Sequence, residues 1–109
     1  MKLILAIVQD KDASALAREF VQKGVRATKL ATSGGFLREG NTTFIIGIDD
    51  EKVDDVISII KKSSHTREQY VSPNMNMDAA GTSMISQPVK VTVGGATVFV
   101  LPVEAFEHF

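Results

Sequence analysis

The sequence predicts a single α+β domain in which two helices cover one face of an antiparallel β-sheet. Two segments of helical periodicity alternate with short β-branched runs, and each helical segment begins at acidic residues. The length of 109 residues is enough for one hydrophobic core, since a chain of this size buries roughly two thirds of its unfolded surface. The chain has no cysteine, which excludes disulfides, thiolate nucleophiles and cysteine-ligated metals.

The first predicted unit is a strand followed by a helix. The aliphatic run at residues 3–8 predicts a strand that is buried on both faces. Asp10 or Asp12 is expected to cap the helix by accepting hydrogen bonds from its free backbone N–H groups. Gly24 is expected to end it, as glycine commonly does at helix C-termini. The spacing i, i+3, i+4, i+7 and i+8 predicts the buried face as Ala13, Leu16, Ala17, Phe20 and Val21.

Two strands and a second helix follow. Residues 25–32 and 42–48 predict the strands, which a glycine-rich connection joins. Acidic residues at 49–51 predict the start of the helix, and Lys61 and Lys62 complement the dipole at its C-terminus. Its predicted buried face consists of Val53, Val56, Ile57 and Ile60.

Residues 65–87 have no sustained period and are predicted to form a long loop. They contain three of the four methionines of the chain: Met75, Met77 and Met84. Unstructured loops longer than about 12–15 residues are uncommon in compact domains. Two interpretations stay open: a solvated insertion, or a mobile loop whose methionines repack on a ligand or partner.

The C-terminal part predicts two further strands, at residues 89–93 and 96–101. Gly94 and Gly95 between them are a signal for a two-residue hairpin turn. The predicted element order is therefore βαββαβ with a C-terminal β-hairpin extension, which is typical of a ferredoxin-like sandwich. The strands are apolar on the sheet face that the helices leave uncovered, which predicts a symmetric oligomer.

Charge and hydropathy exclude two classes of partner. The chain has 12 Lys and Arg residues and 13 Asp and Glu residues, with a formal net charge of -1, so it offers no positive field for nucleic acid or anionic lipid. Its longest apolar runs are far shorter than the ~20 residues of a membrane-spanning helix. We expect a soluble, cytoplasmic protein that binds neither nucleic acid nor a membrane.

Candidate catalytic groups are sparse. The chain has two histidines, His65 and His108, and neither has the neighbours of a catalytic triad or of a metal site. Asp49 and Asp50 belong to the predicted first turn of a helix, where the dipole favours carboxylates. We therefore expect no enzyme, no catalytic residue and no metal. The alternative is an enzyme that degrades a nucleotide or small anion with Asp49, Asp50 or His65.

The connection between the second and third strands carries the most specific signal. Phe36 and Leu37 lie at its tip, where a phenyl ring could stack on a base and the loop N–H groups could bind phosphate oxygens. Asn41 could read a base edge, and Arg26 and Thr28 add a charge and a hydroxyl. A plain hairpin loop is the alternative interpretation.

The segment from residue 28 to residue 43 reads TKLATSGGFLREGNTT and resembles the hallmark of the PII-like cyclic di-AMP receptors of Gram-positive bacteria. The segment at residues 93–100, VGGATVFV, resembles that family's second motif, and the similarity extends over essentially the whole chain. It implies a ferredoxin-like homotrimer that binds one cyclic di-AMP in each cleft between subunits and changes loop conformation to signal to a downstream protein. The alternative is a PII-type regulator that responds to ATP or another adenine nucleotide.

The resemblance also implies a set of ligand-binding residues and no cofactor beyond the ligand. Phe36 and Phe99 would each pack against an adenine, Asn41 would hydrogen-bond a base edge, and Gly47 would let the ligand approach the strand backbone. His108 is included because the C-terminal tail of the family reaches the same cleft. The full set is Arg26, Ala27, Thr28, Gly35, Phe36, Leu37, Asn41, Gly47, Phe99 and His108.

Overall fold

The structure, a computed structural model, describes residues 1–31, 40–71 and 88–109. Its helices and strands confirm a mixed α+β protein with two helices and antiparallel sheets, compatible with a PII-like fold. In chain order they are β1 (Lys2–Gln9), α1 (Asp10–Gln22), β2 (Thr28–Ala31), β3 (Asn41–Ile48), a 3-10 turn (Asp50–Lys52), α2 (Val53–Ser64), β4 (Arg67–Val71), β5 (Val89–Val93) and β6 (Ala96–Pro102).

The main sheet has the strand order β2-β3-β1-β6, with β1 between two antiparallel partners. On β1, Ile4, Ala6 and Val8 are buried, whereas the alternate residues are only half-buried. The prediction of a strand buried on both faces is therefore wrong for this chain, because the helices cover only one face of the sheet. The buried core consists of Ile4, Ala6, Val8, Ala13, Leu16, Phe20, Phe44, Ile46, Val56 and Ile60.

The helices depart from their predicted faces and caps. Val21 is 78% exposed, because the eighth position after Ala13 is rotated by about 80° from it on a helix. Neither predicted aspartate caps α1: its N-cap residue is Gln9, which makes no side-chain capping hydrogen bond. Asp10 instead accepts a hydrogen bond from Thr42 Oγ1 at 2.6 Å.

Two predictions about the C-terminal half are wrong. The predicted loop at residues 65–87 contains β4, which pairs with β5 in a separate two-stranded sheet; residues 72–87 lie outside the described residues. The predicted hairpin of the last two strands does not form, because β5 pairs with β4 and β6 pairs with β1. Gly94 and Gly95 therefore carry the chain from one sheet to the other. We call the β4–β5 sheet the arm.

An ion pair between a buried carboxylate and a partly exposed guanidinium attaches the arm to the main body. Arg67 Nη2 at the start of β4 donates to Asp12 Oδ1 at 2.7 Å, and Asp12 is only 5% exposed. The hydrogen bond to this carboxylate raises the pKa of the Arg67 guanidinium. Gly95 N donates to the carbonyl oxygen of Ser64, and Gly94 N donates to Gln9 Oε1 at 2.8 Å. An isolated two-stranded sheet is marginally stable in water, so these contacts are needed to hold the arm.

Arg67→Met is expected to lower the melting temperature by several degrees, because it leaves the buried Asp12 carboxylate without its cation. Differential scanning calorimetry measures the change. The double variant Asp12→Asn/Arg67→Met should recover most of the loss, since no unpaired buried charge remains. Lys90→Met is the control: it removes an exposed pair on the arm, between Lys90 Nζ and Glu68 Oε1 at 3.2 Å, and should change stability little. If Arg67→Met and Lys90→Met lowered the melting temperature equally, the ion pair between Arg67 and Asp12 would have no special role in stability.

Gly94→Ala is expected to destabilise the protein more than Gly24→Ala. Both glycines have positive φ, +86° and +73°, which costs an L-residue about 1–2 kcal/mol. A Cβ at Gly94 would in addition lie 2.5 Å from Arg67 Nη1 and from the carbonyl oxygen of His65, whereas nothing lies within 4 Å of a Cβ at Gly24. Urea unfolding of the two variants measures the difference. If Gly94→Ala and Gly24→Ala destabilised the protein equally, the root of the arm, at Gly94 and Gly95, would tolerate the added methyl group.

Candidate functional site

The main sheet has a face that the two helices do not cover, which we call the open face. Alternate residues of a strand share a face, so the register assigns to it the β1 residues that are not buried in the core. Leu5 at its centre lies opposite Ile45 on one side and Phe99 on the other. Phe99 and Leu101 are 38% and 41% exposed. The apolar residues of the open face are Leu3, Leu5, Ile7, Ile45, Phe99 and Leu101.

Four of the predicted ligand residues share the open face: Thr28, Asn41, Gly47 and Phe99. Thr28 pairs with Ile45, and so belongs to the same row across the sheet as Phe99. The two residues lie on opposite edge strands, β2 and β6, which are roughly 14 Å apart at the usual strand spacing. One chain therefore does not bring Thr28 and Phe99 into contact with each other.

The predicted ligand residues are otherwise far apart within one chain. Asn41 and Gly47 lie at opposite ends of β3, about 20 Å apart by the rise of a strand. Arg26 is exposed and Ala27 packs partly against the core just before β2. His108 is exposed in the C-terminal segment. Gly35, Phe36 and Leu37 lie outside the described residues.

A cleft of about 740 Å³ opens at the end of β1, and we call it the β1 cleft. Of the described residues that line it, Asn41 is the one that the sequence predicted as a ligand residue; sequence reasoning missed the others. Gln9 lies directly opposite Asn41 in the β1–β3 ladder. Gln9 lies just beyond the predicted strand at residues 3–8, although positions 5, 7 and 9 continue the alternation of one face. The lining includes Ile7, Gln9, Asn41, Gly94, Ala96 and Thr97.

Among the described residues, some polar side chains in and near the β1 cleft make hydrogen bonds, and others do not. Gln9 Oε1 accepts the hydrogen bond from Gly94 N, and Lys11 Nζ donates to Gln69 Oε1 at 3.0 Å. Thr43, which pairs with Ile7 on the open face, has a buried hydroxyl with no hydrogen-bond partner among the described residues.

The candidate catalytic residues do not converge. Asp49 and Asp50 precede α2 and His65 follows it, so the length of a 12-residue helix, about 18 Å, separates them. The hydrogen bond from the Met1 ammonium to Asp50 Oδ1, at 2.8 Å, lowers the pKa of Asp50. His65 Nδ1 lies 3.1 Å from the Lys61 carbonyl oxygen.

Residues 1–31, 40–71 and 88–109 contain neither a metal-binding cluster nor a membrane-spanning helix. Within these ranges, no cluster of three or more His, Asp or Glu side chains could hold a metal ion. Over the same ranges, no helix combines the length and apolar character that crossing a membrane requires.

A family model and a solved structure are both similar to this chain over nearly its whole length. A protein-family model described as cyclic-di-AMP receptor matches residues 1–109. The crystal structure of a functionally unknown protein from Pediococcus pentosaceus ATCC 25745 is similar, with 56% sequence identity and a TM-score of 0.80. That similarity covers 99% of this chain and 96% of the Pediococcus chain.

Proposed function

The chain belongs to the cyclic-di-AMP receptor family, and on this basis we propose that it is a non-enzymatic receptor that binds cyclic di-AMP between the subunits of a homotrimer and signals through a change in loop conformation. The whole-chain family match is the observation that carries the proposal. We further propose that residues 1–109 form one ferredoxin-like domain, which the strand order β2-β3-β1-β6 supports. A cytoplasmic location remains a prediction from the sequence.

The open face supports the proposed oligomer. Its apolar side chains are only partly buried in one chain, and contiguous apolar surface of this kind is typical of a protein interface. Packing the open faces of several copies around a common axis would bury Leu3, Leu5 and Ile7. The trimer itself follows from the family resemblance, since an apolar face predicts burial and not the number of copies.

The separation of the predicted residues supports a site between subunits. Thr28 belongs to one edge strand and Phe99 to the other. In a closed ring, the β2 edge of one subunit approaches the β6 edge of the next, so that Thr28 of one chain and Phe99 of its neighbour would face the same ligand. Arg26, Ala27 and Gly47 would contribute from the same side as Thr28.

Cyclic di-AMP has two adenine bases, and two of the predicted ligand residues are phenylalanines that could each stack on one. We propose that Phe36 stacks on one adenine and Phe99 on the other, with Gly35 and Leu37 enclosing the ligand and Asn41 bonded to a base edge. His108 would reach the ligand from the C-terminal segment. The arm supports the proposed signal, because its root contributes Thr66 and Gly94 to the β1 cleft and a ligand there would contact the backbone that carries the arm.

Cyclic di-AMP is expected to raise the melting temperature by several degrees, because a ligand at 100 times its dissociation constant stabilises a protein by about 2.7 kcal/mol.

Phe36→Ala should weaken the binding of cyclic di-AMP by about 5- to 150-fold, which is the cost of losing one base stack. Thr28→Ala should weaken it by about tenfold or more through a lost hydrogen bond to a charged group. Thr92→Ala, on the exposed face of the arm, is the control.

Isothermal titration of the four proteins with cyclic di-AMP, cyclic di-GMP and ATP separates the possible outcomes. Unchanged affinity in both site variants would refute the site assignment. Binding of ATP in place of cyclic di-AMP would favour the PII-type regulator. Hydrolysis of cyclic di-AMP during a long incubation, followed by chromatography, would contradict a non-enzymatic role.

Leu5→Glu is expected to convert the trimer to monomers, because it introduces a charge at the centre of the open face. Light scattering after size-exclusion chromatography should give about 35 kDa, three times 11.8 kDa, for the wild type. Val21→Glu makes the same kind of change at a 78% exposed position of α1 and should leave the mass unchanged. A trimeric Leu5→Glu variant would show that another surface forms the interface.

A further inference from the structure

We propose that the β1 cleft is an adenine subsite of the receptor and that Gln9 determines its specificity by donating a hydrogen bond to a ring nitrogen of the base. This inference rests on the proposed function, since it concerns the same ligand. Gln9 is not among the ligand-binding residues that the family resemblance implies. The volume of the cleft, about 740 Å³, lies within the range of ordinary ligand sites, roughly 300–1,000 Å³.

The hydrogen bond from Gly94 fixes the orientation of the Gln9 amide. A backbone N–H can only donate, so the side-chain atom that lies 2.8 Å from Gly94 N must be the amide oxygen. The NH₂ group of Gln9 then remains as a pair of donors, and it bonds to no residue in the described ranges. The residue is half-buried and lines the cleft, so its hydrogen bond to Gly94 holds these donors at a fixed position beside the cleft.

The other groups of the cleft favour an uncharged heterocycle over a phosphate. Asp10 contributes a carboxylate to the lining, which repels anions, and the ammonium of Lys11 is already bonded to Gln69. Ile7 and Ala96 provide apolar surface for the faces of a flat ring. A phosphate would instead require unpaired cations or a cluster of backbone N–H groups.

Asn41 supplies the hydrogen-bond acceptor that complements the Gln9 donor in binding adenine. It is the direct cross-strand partner of Gln9, and its amide makes no hydrogen bond to another described residue. Adenine presents a ring nitrogen that accepts next to an exocyclic amine that donates. Gln9 can serve the acceptor and the Asn41 oxygen can serve the amine, so the two amides together match one edge of the base.

Two substitutions of Gln9 test the donor separately from its other properties. Gln9→Glu keeps an oxygen for Gly94 N but replaces the donors with a carboxylate. Gln9→Leu adds no charge but removes both the donors and the acceptor. The missing NH₂ group is the change that the two variants share, so both should bind cyclic di-AMP about tenfold or more weakly than the wild type. Calorimetric titration measures the affinities, and the melting temperature of each free variant shows that it is folded.

Gln22→Glu is the matched control, because it makes the same chemical change at an exposed position near the far end of α1, about 18 Å along the helix from Asp10. Wild-type affinity in either Gln9 variant overturns the inference. A loss in Gln9→Glu that disappears at 0.5 M NaCl, with wild-type affinity in Gln9→Leu, would indicate charge repulsion alone and also overturns it. Failure of the wild type and Gln22→Glu to bind cyclic di-AMP would refute the proposed function itself.

Discussion

Two helices cover only one face of the four-stranded sheet, and most features of the molecule follow from that imbalance. The helix side holds Ile4, Ala6 and Val8 in a dry core, while Leu5 and its neighbours on the other side stay half exposed. Burying one large aliphatic or aromatic side chain contributes about 1.5–3 kcal/mol, so an uncovered face of this composition favours association. The edge strands β2 and β6, which carry Thr28 and Phe99, border that face, so the proposed oligomer would bring the edges of different copies together.

The arm depends on a different kind of interaction. Its two strands pair with each other and expose much of their surface, including Tyr70 and Val89, so hydrophobic burial contributes little to its position. Polar contacts at the root take over this role: the buried Asp12 carboxylate holds Arg67, and backbone N–H groups at the crossover bond to Gln9 and Ser64. Removing one partner of such a contact is costly because the other is left buried and unpaired. The arm is therefore positioned by few residues, each with a large effect.

Sequence reasoning succeeded where the signal was local. The 3.6-residue period and acidic start located α2, and the aliphatic run located β1. It failed where pairing was decided by distant partners: Gly94 and Gly95 have a hairpin signature, yet β6 pairs with β1 and β5 pairs with β4. Gln9 was missed for the same reason, since its position opposite Asn41 becomes visible only with the β1–β3 register. The residues of the glycine-rich loop stay predictions.

Gln9 connects the open face to the arm. Its oxygen accepts a hydrogen bond from Gly94 at the root of the arm, and the residue is one of those that line the β1 cleft. A ligand that bonds to the NH₂ group polarises the amide and strengthens the oxygen as an acceptor, because hydrogen bonds in a chain reinforce one another. Such coupling is reciprocal: a protein that binds the arm and shifts Gly94 must change ligand affinity by the same factor as the ligand changes affinity for that protein. The proposed receptor therefore needs no separate relay between the cleft and the arm, since one side chain contacts both.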